Sequence, residues 1–178
     1  MRRRYTAGDY LGWVARLRAG RPDLVFTTDL IVGYPGETDA DFQATLDLAA
    51  EVDFVDAYAF KYSPRPGTAA AEVQEGQVDA QTAQARLEAL QQAQRERTLA
   101  HHRKRVGEIT EVLIEGPSGR GAPGSPQLRG RDPYHRIVNL EPERKADGTP
   151  APMPEAGERA RARLVEAVSY TQLRAHET

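Results

Sequence analysis

The sequence predicts an α/β segment followed by an all-β segment, and three observations indicate this division. Residues 7–62 show two helical patterns that alternate with two apolar, β-branched runs. Residues 109–169 contain short strand-like runs separated by Gly- and Pro-rich stretches. A long polar helix is predicted between them, from about Asp79 to Arg105.

Both helices of the first segment are predicted to begin with the same local signal. Thr6 lies three residues before Asp9, which is the spacing of a capping box with Asp in place of the usual Glu. Thr38 and Asp41 repeat this arrangement. Apolar residues then recur at helical intervals after each pair, so a helix is expected to follow each one.

Two strands are predicted beside these helices, over residues 24–32 and 54–62. The first is nearly continuous in apolar character, as in a strand buried on both faces of a parallel sheet. The alternate residues expected on one face of the second strand are Phe54, Asp56, Tyr58 and Phe60. The strands are followed by Gly- and Pro-containing turns at 33–37 and 63–68.

These two turns are candidates for a ligand site. Parallel strands end at the same edge of a sheet, and α/β proteins place ligands there, where backbone N–H groups face outward. The 33–37 turn has no Lys-Ser/Thr after it and does not match the dinucleotide fingerprint. Taken alone, each turn also fits an ordinary surface connection.

The long helix is predicted to bury Ala83, Leu87 and Leu90, and to be polar all round beyond Leu90, as in a solvated connector. Four strands are predicted after it, over 109–115, 127–131, 136–140 and 161–169. The stretches 116–126 and 142–157 are predicted as exposed loops. This pattern favours a small β-barrel of the oligonucleotide-binding kind, with a fifth strand near the C-terminus.

The composition excludes several classes of site. The sequence contains no cysteine, so disulfides, thiolate zinc sites and cysteine-held iron–sulfur clusters are excluded within this chain. No apolar run reaches the length of a membrane span, and residues 1–6 are not followed by a signal-peptide core. We therefore expect a cytoplasmic protein with no membrane partner. The sequence does not indicate an oligomeric state.

Basic and aromatic residues in the second segment suggest RNA binding. Residues 1–100 carry 11 Lys and Arg against 15 Asp and Glu, whereas residues 101–178 carry 13 against 11. Guanidinium groups that pair with phosphates, beside rings that stack on bases, are typical of single-stranded RNA binding. Each cation alone also fits a solvated surface. The predicted RNA-binding residues are Lys104, Arg129, Arg131, Tyr134 and Arg136.

No catalytic or metal-binding residue is assigned. No nucleophile, base and acid can be assembled from the sequence, and His101-His102 lacks a companion ligand at metal spacing. A position at the C-terminal end of a helix explains these two histidines better.

Two long motifs, residues 27–38 and 60–70, together resemble the radical S-adenosylmethionine methylthiotransferases. Residues 1–6 resemble the segment before the first motif in that family, and residues 108–170 resemble its RNA-binding TRAM domain. The form Tyr-Ser-Pro-Arg-Pro-Gly-Thr at 62–68 is most similar to the tRNA 2-methylthio-adenosine synthases. The resemblance implies the C-terminal part of a radical (β/α) barrel at 1–78, a connecting helix at 79–105, a TRAM domain at 106–170 and an atypical tail at 171–178.

The family resemblance also implies a reaction and its site. A reduced 4Fe-4S cluster would cleave S-adenosylmethionine to a radical, and a methylthio group would be installed on an N6-isopentenyl-type adenosine beside the anticodon. Ile31, Gly33, Tyr62 and Ser63 would contact S-adenosylmethionine, and the partner would be the tRNA anticodon stem-loop. Because the cluster-binding cysteines are absent, we expect a portion of the enzyme that does not catalyse alone.

Two other interpretations remain open. The chain could be a non-catalytic TRAM-type RNA-binding protein, or it could belong to a methylthiotransferase that modifies a ribosomal protein. Residues 171–178 also depart from the Ser-Leu-Arg-Gly-Glu continuation of the family and resemble read-through into unrelated sequence. The sequence therefore does not establish the last barrel strand.

Overall fold

The computed structural model describes residues 4–73, 75–119, 127–142, 149, 152–169 and 172–177. The chain divides into two compact units, Met1–Arg97 and Thr98–Thr178, and the boundary falls inside one helix. The greater part of the predicted loops at 116–126 and 142–157 lies outside the described residues.

The first unit alternates helices and strands as predicted. Its elements are α1 (Ala7–Gly20), β1 (Thr27–Val32), α2 (Asp39–Val52), β2 (Asp56–Lys61) and the beginning of α3 (Ala80–Lys104). Both capping boxes are confirmed, since Thr6 and Thr38 each accept a hydrogen bond from the backbone N–H three residues on. In return, the Asp9 and Asp41 carboxylates accept from the cap backbone N–H groups at 2.8 and 2.9 Å.

Strands β1 and β2 pair in parallel, from Thr27 opposite Asp56 to Val32 opposite Lys61. Leu30 packs on a core contributed by α1, α2 and the residues before β2. The prediction that β1 is buried on both faces is wrong here, because Thr27, Asp29 and Ile31 are exposed on the other face. No described element covers that face, and it also presents Tyr58 and Phe60, which are 68% and 53% exposed.

Phe54 does not share the face of Tyr58 and Phe60. It is buried in the core with Val14 and Val52. The strand begins only at Asp56, after the left-handed residue Asp53, so the alternation of a pleated strand does not extend back to Phe54.

Helix α3 begins after Asp79, whose carboxylate accepts hydrogen bonds from the N–H groups of Gln81 and Thr82. The predicted stripe is present at Ala83 and Leu90, whereas Leu87 is half-buried. Beyond Leu90 the prediction of a wholly solvated helix is wrong. The polar residues buried there at intervals of four are Gln94, Thr98 and His102.

Burial of a polar stripe requires hydrogen-bond partners. Gln94 supplies one example, because its amide donates to the carbonyl oxygen of Phe54 at 2.8 Å.

Neither α3 nor any other described helix has the apolar length that crossing a lipid bilayer takes.

The second unit is a closed five-stranded barrel, as predicted. Its strands are β3 (Ile109–Pro117), β4 (Leu128–Arg131), β5 (Ile137–Glu141), β6 (Arg159–Ser169) and β7 (Gln172–Glu177). They close in the order β3-β4-β5-β7-β6, with β5 and β7 parallel and the other pairs antiparallel. Gly130 allows β4 to approach β3, because a Cβ there would lie 2.5 Å from the Leu113 carbonyl oxygen. The architecture is compatible with a TRAM-like barrel.

The tail that departs from the family pattern supplies the closing strand. Leu173 and Ala175 are fully buried in the barrel core, and they lie two residues apart, as the pleat of a strand requires. Strand β7 pairs with both β5 and β6, and it thereby completes the barrel.

Candidate functional site

The carboxyl ends of β1 and β2 bring the four predicted S-adenosylmethionine contacts to one edge. The N–H of Tyr62 donates to the carbonyl of Val32 at 2.8 Å, so Gly33 and Tyr62 lie side by side just beyond the strands. Ile31 is 38% exposed on the open face, and Ser63 is exposed beyond β2. The edge therefore combines an open sheet face with the ends of both strands.

Three N–H groups of the 33–37 turn donate within the protein, contrary to the expectation that they face outward. The Gly33 N–H donates to Glu37 Oε2 at 2.7 Å, and the Gly36 N–H donates to the Gly76 carbonyl at 2.7 Å. The Glu37 N–H donates to the Tyr34 carbonyl at 2.9 Å. Since these three donors are satisfied internally, they are not available to a ligand at this edge.

Two tyrosine side chains pack together at this edge, and one of them has a buried hydroxyl. The rings of Tyr34 and Tyr62 pack edge to face, with centroids 5.2 Å apart. The Tyr62 hydroxyl is buried and has no hydrogen-bond partner among the described residues. A buried hydroxyl without a partner costs free energy, so the hydrogen-bonding capacity of this oxygen is unused.

A buried arginine that the sequence analysis missed fixes the turn to α3. Arg86 Nη1 donates to the Glu37 carbonyl at 3.0 Å and to Glu37 Oε2 at 2.7 Å, and Nη2 donates to Asp39 at 2.6 Å. The hydrogen bond to Asp39, supported by those to Glu37, raises the pKa of the guanidinium against the effect of burial. Its spacing from Ala83 and Leu90 on the buried stripe was the signal that could have identified it.

Gly33 is also fixed by close packing. A Cβ at this position would lie 2.9 Å from the Ala83 Cβ, and the Gly33 φ of +73° lies in the left-handed region. A glycine is therefore required where the turn meets α3.

On the barrel, the structure brings Arg129 and Arg131 together but pairs both with one carboxylate. Their Nε atoms lie 3.1 and 2.6 Å from the two oxygens of Glu115 on the neighbouring strand. The hydrogen bond from Arg131, with the charges of both arginines, lowers the pKa of Glu115 against the effect of burial. This part of the surface is less basic than the sequence suggests.

The other predicted RNA contacts differ in exposure. Lys104 is exposed at the end of α3, and no described carboxylate pairs with it. Tyr134 is 37% exposed, whereas Arg136 is 8% exposed. Of the five predicted contacts, Arg136 thus has the smallest surface to offer a ligand.

Tyr134 lies in a turn between β4 and β5 that is organised by Asp132, another residue that sequence reasoning missed. The Asp132 side chain is fully buried, and its Oδ1 accepts from the N–H groups of Tyr134 and Arg136 at 3.0 and 2.8 Å. Arg105 forms an ion pair with the other oxygen. The dipeptide Asp132-Pro133, which favours turn initiation, was the available signal.

Arg105 stays charged although it is partly buried. Burial acts to lower the pKa of its guanidinium, but the hydrogen bond and charge of Asp132, with those of Glu108, outweigh it and raise the pKa. The guanidinium carbon lies 4.9 Å from the centroid of the Tyr134 ring, in cation–π geometry.

No group of three His, Asp or Glu side chains in the described part of the chain is placed to hold a metal ion. The sequence also contains no cysteine, so an iron–sulfur cluster would find no thiolate ligand in these residues.

No family model matches the chain. Comparison with curated proteins, however, agrees with the resemblance seen in the motifs. It is 48% identical over 140 residues to the tRNA-2-methylthio-N(6)-dimethylallyladenosine synthase of Geobacter metallireducens, covering 79% of this chain and 31% of that protein. The proteins of the same name from Maricaulis maris and Rhodococcus jostii are 44% and 41% identical over 141 and 152 residues, which is 79% and 85% of this chain.

The chain spans about a third of the length of these curated relatives, 30% in both the Maricaulis and the Rhodococcus protein. The resemblance recognised in the sequence is thereby confirmed: most of this chain corresponds to one part of the tRNA-2-methylthio-N(6)-dimethylallyladenosine synthases.

Proposed function

We propose that this chain is part of a cytoplasmic tRNA methylthiotransferase that installs a 2-methylthio group on an N6-isopentenyl-type adenosine beside the anticodon. The observation that carries the proposal is identity of 41–48% over about four fifths of the chain with relatives named for this modified nucleoside. In this account, the first unit belongs to a radical (β/α) barrel, and the second unit is a TRAM domain.

The edge at the ends of β1 and β2 would hold S-adenosylmethionine. Ile31 offers an apolar contact to the adenosyl group, Gly33 places the turn close to α3, and the Tyr62 hydroxyl offers an unused hydrogen bond. Ser63 would contribute a second hydroxyl from just beyond β2. S-adenosylmethionine, reduced by a 4Fe-4S cluster held outside these residues, would supply the radical chemistry. The residues of this chain bind and orient the ligand.

The barrel would bind the tRNA anticodon stem-loop. Closed five-stranded barrels of this size present strands and loops on which unpaired nucleotides can lie. Lys104 supplies an exposed cation and Tyr134 an exposed ring. Because Arg129 and Arg131 share Glu115, few phosphate contacts are expected, and binding should depend only moderately on salt.

Equilibrium binding of RNA by this chain tests the choice of partner. A fluorescently labelled anticodon stem-loop carrying N6-isopentenyl adenosine is titrated with the chain at about 50 mM and about 200 mM salt, and a fully paired RNA duplex of equal length is the control. We expect the stem-loop to bind more tightly than the duplex, with affinity falling at higher salt. Absence of binding, or binding without any salt dependence, contradicts the proposal. Absence of binding would favour the interpretation in which a ribosomal protein is the substrate.

A further inference from the structure

One aromatic ring on the barrel has one face covered by a cation and presents its remaining surface to solvent. The guanidinium of Arg105 lies over the Tyr134 ring at 4.9 Å from its centroid, and Tyr134 is nevertheless 37% exposed. Because Arg105 occupies one face, a base that reaches this partly exposed residue would stack on the other face. A flat aromatic face that is open on one side is the surface on which nucleobases stack.

The turn that carries this ring, residues 132–136, is held in place before any ligand binds. Besides the two bonds to the Asp132 carboxylate, the His135 N–H donates to the Asp132 carbonyl at 2.9 Å, and the Asp132 N–H donates to the Arg136 carbonyl at 3.1 Å. Arg131 Nη1 adds a bond to the His135 carbonyl at 3.1 Å. Because the backbone is already fixed, stacking a base on Tyr134 costs little further ordering of the protein.

Two arginines that contact this turn are already paired with carboxylates. Arg105 is paired with the buried Asp132 carboxylate and with Glu108 at 2.9 Å, and Arg131 is paired with Glu115 at 2.6 Å. A guanidinium that is already hydrogen-bonded to carboxylates attracts a phosphate weakly. Arg105 and Arg131 therefore add little phosphate binding here, and Tyr134 offers a ligand an aromatic surface.

We propose that Tyr134 is the stacking contact for one unpaired nucleobase of the bound RNA, and that this contact contributes affinity without a phosphate interaction. The proposal rests on the tRNA-binding function proposed above and names the residue, the kind of contact and the part of the RNA involved. Arg105 and Asp132 act as positioning residues that hold the ring. Stacking uses the face that all bases share, so the contact distinguishes unpaired from paired RNA more than one base from another.

The test compares three variants of the chain for binding to the labelled anticodon stem-loop at two salt concentrations. Tyr134→Leu keeps an apolar side chain but removes the ring, and it should weaken binding about 10-fold with an unchanged salt slope. Tyr134→Phe keeps the ring and should bind within about 2-fold of the unsubstituted chain. Lys104→Met, the matched control, should lower the salt slope by about 0.7, as expected for loss of one phosphate contact on a single strand.

The outcomes separate this inference from the proposed function. Equal affinity of the unsubstituted chain and Tyr134→Leu overturns the stacking contact while leaving tRNA binding intact. A loss of affinity in Tyr134→Leu accompanied by a lower salt slope also overturns it, because the residue would then be acting through phosphate contacts. If the unsubstituted chain does not bind the stem-loop, both proposals fail. Circular dichroism of each variant shows whether the barrel is folded, and Tyr134→Ala replaces Tyr134→Leu as the test of ring loss if the Leu variant is not folded. Tyr134→Phe separates the contribution of the ring from that of the hydroxyl.

Discussion

Removing the buried partner of Glu37 should destabilise the first unit strongly. Arg86 and Glu37 have side chains that are only 8% and 9% exposed, so Arg86→Met leaves a carboxylate buried with one remaining donor, the Gly33 N–H. Breaking a buried ion pair in this way typically costs about 3–5 kcal/mol. We expect a loss of about 3 kcal/mol in the free energy of unfolding, because that retained hydrogen bond places the cost at the lower end of the range.

Asp39 should contribute little of this energy, although it lies 2.6 Å from Arg86, because its side chain is 98% exposed. The double variant Glu37→Gln with Arg86→Met removes the buried charge altogether. It should be less destabilised than the sum of the two single variants, and the difference measures the coupling between Arg86 and Glu37.

Urea unfolding followed by tryptophan fluorescence measures the effect. Trp13 is the only tryptophan in the sequence and lies in α1, so its signal reports on the first unit. The matched control is Arg21→Met, which removes an arginine from the Arg21–Asp23 pair, whose side chains are 69% and 52% exposed. That change should cost less than about 1 kcal/mol. If Arg86→Met and Arg21→Met are destabilised equally, the argument from burial is refuted.

Three further predictions concern packing, backbone conformation and pH. Leu173→Ala should cost about 3 kcal/mol in urea unfolding of the barrel followed by circular dichroism, because the side chain is fully buried in the closing strand; a cost near zero would show that β7 is not part of the folded barrel. Gly33→Ala should destabilise the first unit by about 2 kcal/mol in the tryptophan assay, since φ is +73° and the new Cβ would lie 2.9 Å from Ala83; unchanged stability would contradict this packing. Hydrogen bonds from Thr38 lower the pKa of Asp41 in the folded state, so the unfolded state binds this proton more tightly. The ionised carboxylate therefore stabilises the folded state above the ordinary carboxyl pKa, and this stabilisation is lost as the pH falls through the lowered pKa. The urea midpoints at about pH 6 and about pH 3 should therefore differ less in Thr38→Ala than in the unsubstituted chain, and an equal difference would contradict the capping argument.

The sequence was sufficient where structure depends on near neighbours along the chain. The capping residues Thr6 and Thr38 were predicted because each bonds a residue three positions away. The strand alternation that places Val112 and Ile114 inside the barrel is likewise local. Such patterns specify an element before its partners are known.

The sequence was insufficient where burial depends on a distant partner. Arg86 and Glu37 are 49 positions apart, and Gln94 reaches a carbonyl 40 positions away, so neither polar side chain looked like a buried one. The same holds for Arg105, whose partner Asp132 is 27 positions away. A polar residue on a buried stripe is recognisable only when the fold shows what satisfies it.

For the candidate site, motif spacing was enough to place Ile31, Gly33, Tyr62 and Ser63 along one edge. The internal bonding of the turn was not predictable, because Glu37 stands where the sequence predicts the beginning of a helix, and nothing local indicates that its carboxylate accepts from the Gly33 N–H. The tail shows the opposite error. The tail departs from the family pattern, but Leu173 and Ala175 alternate as in a strand, and both are buried in the barrel core.

The most direct test of the whole account is an exchange experiment in a relative. The part of the Geobacter metallireducens synthase that aligns with this chain is replaced by the chain, and the hybrid is expressed in cells that lack the endogenous enzyme. The measurement is the amount of 2-methylthio-N6-dimethylallyladenosine in their tRNA, determined by mass spectrometry of nucleosides. We expect the hybrid to restore the modified nucleoside, and the Gly33→Val hybrid to restore less of it. A soluble hybrid, loaded with its clusters, whose cells contain none of this nucleoside would contradict the proposed function and favour a non-catalytic RNA-binding protein.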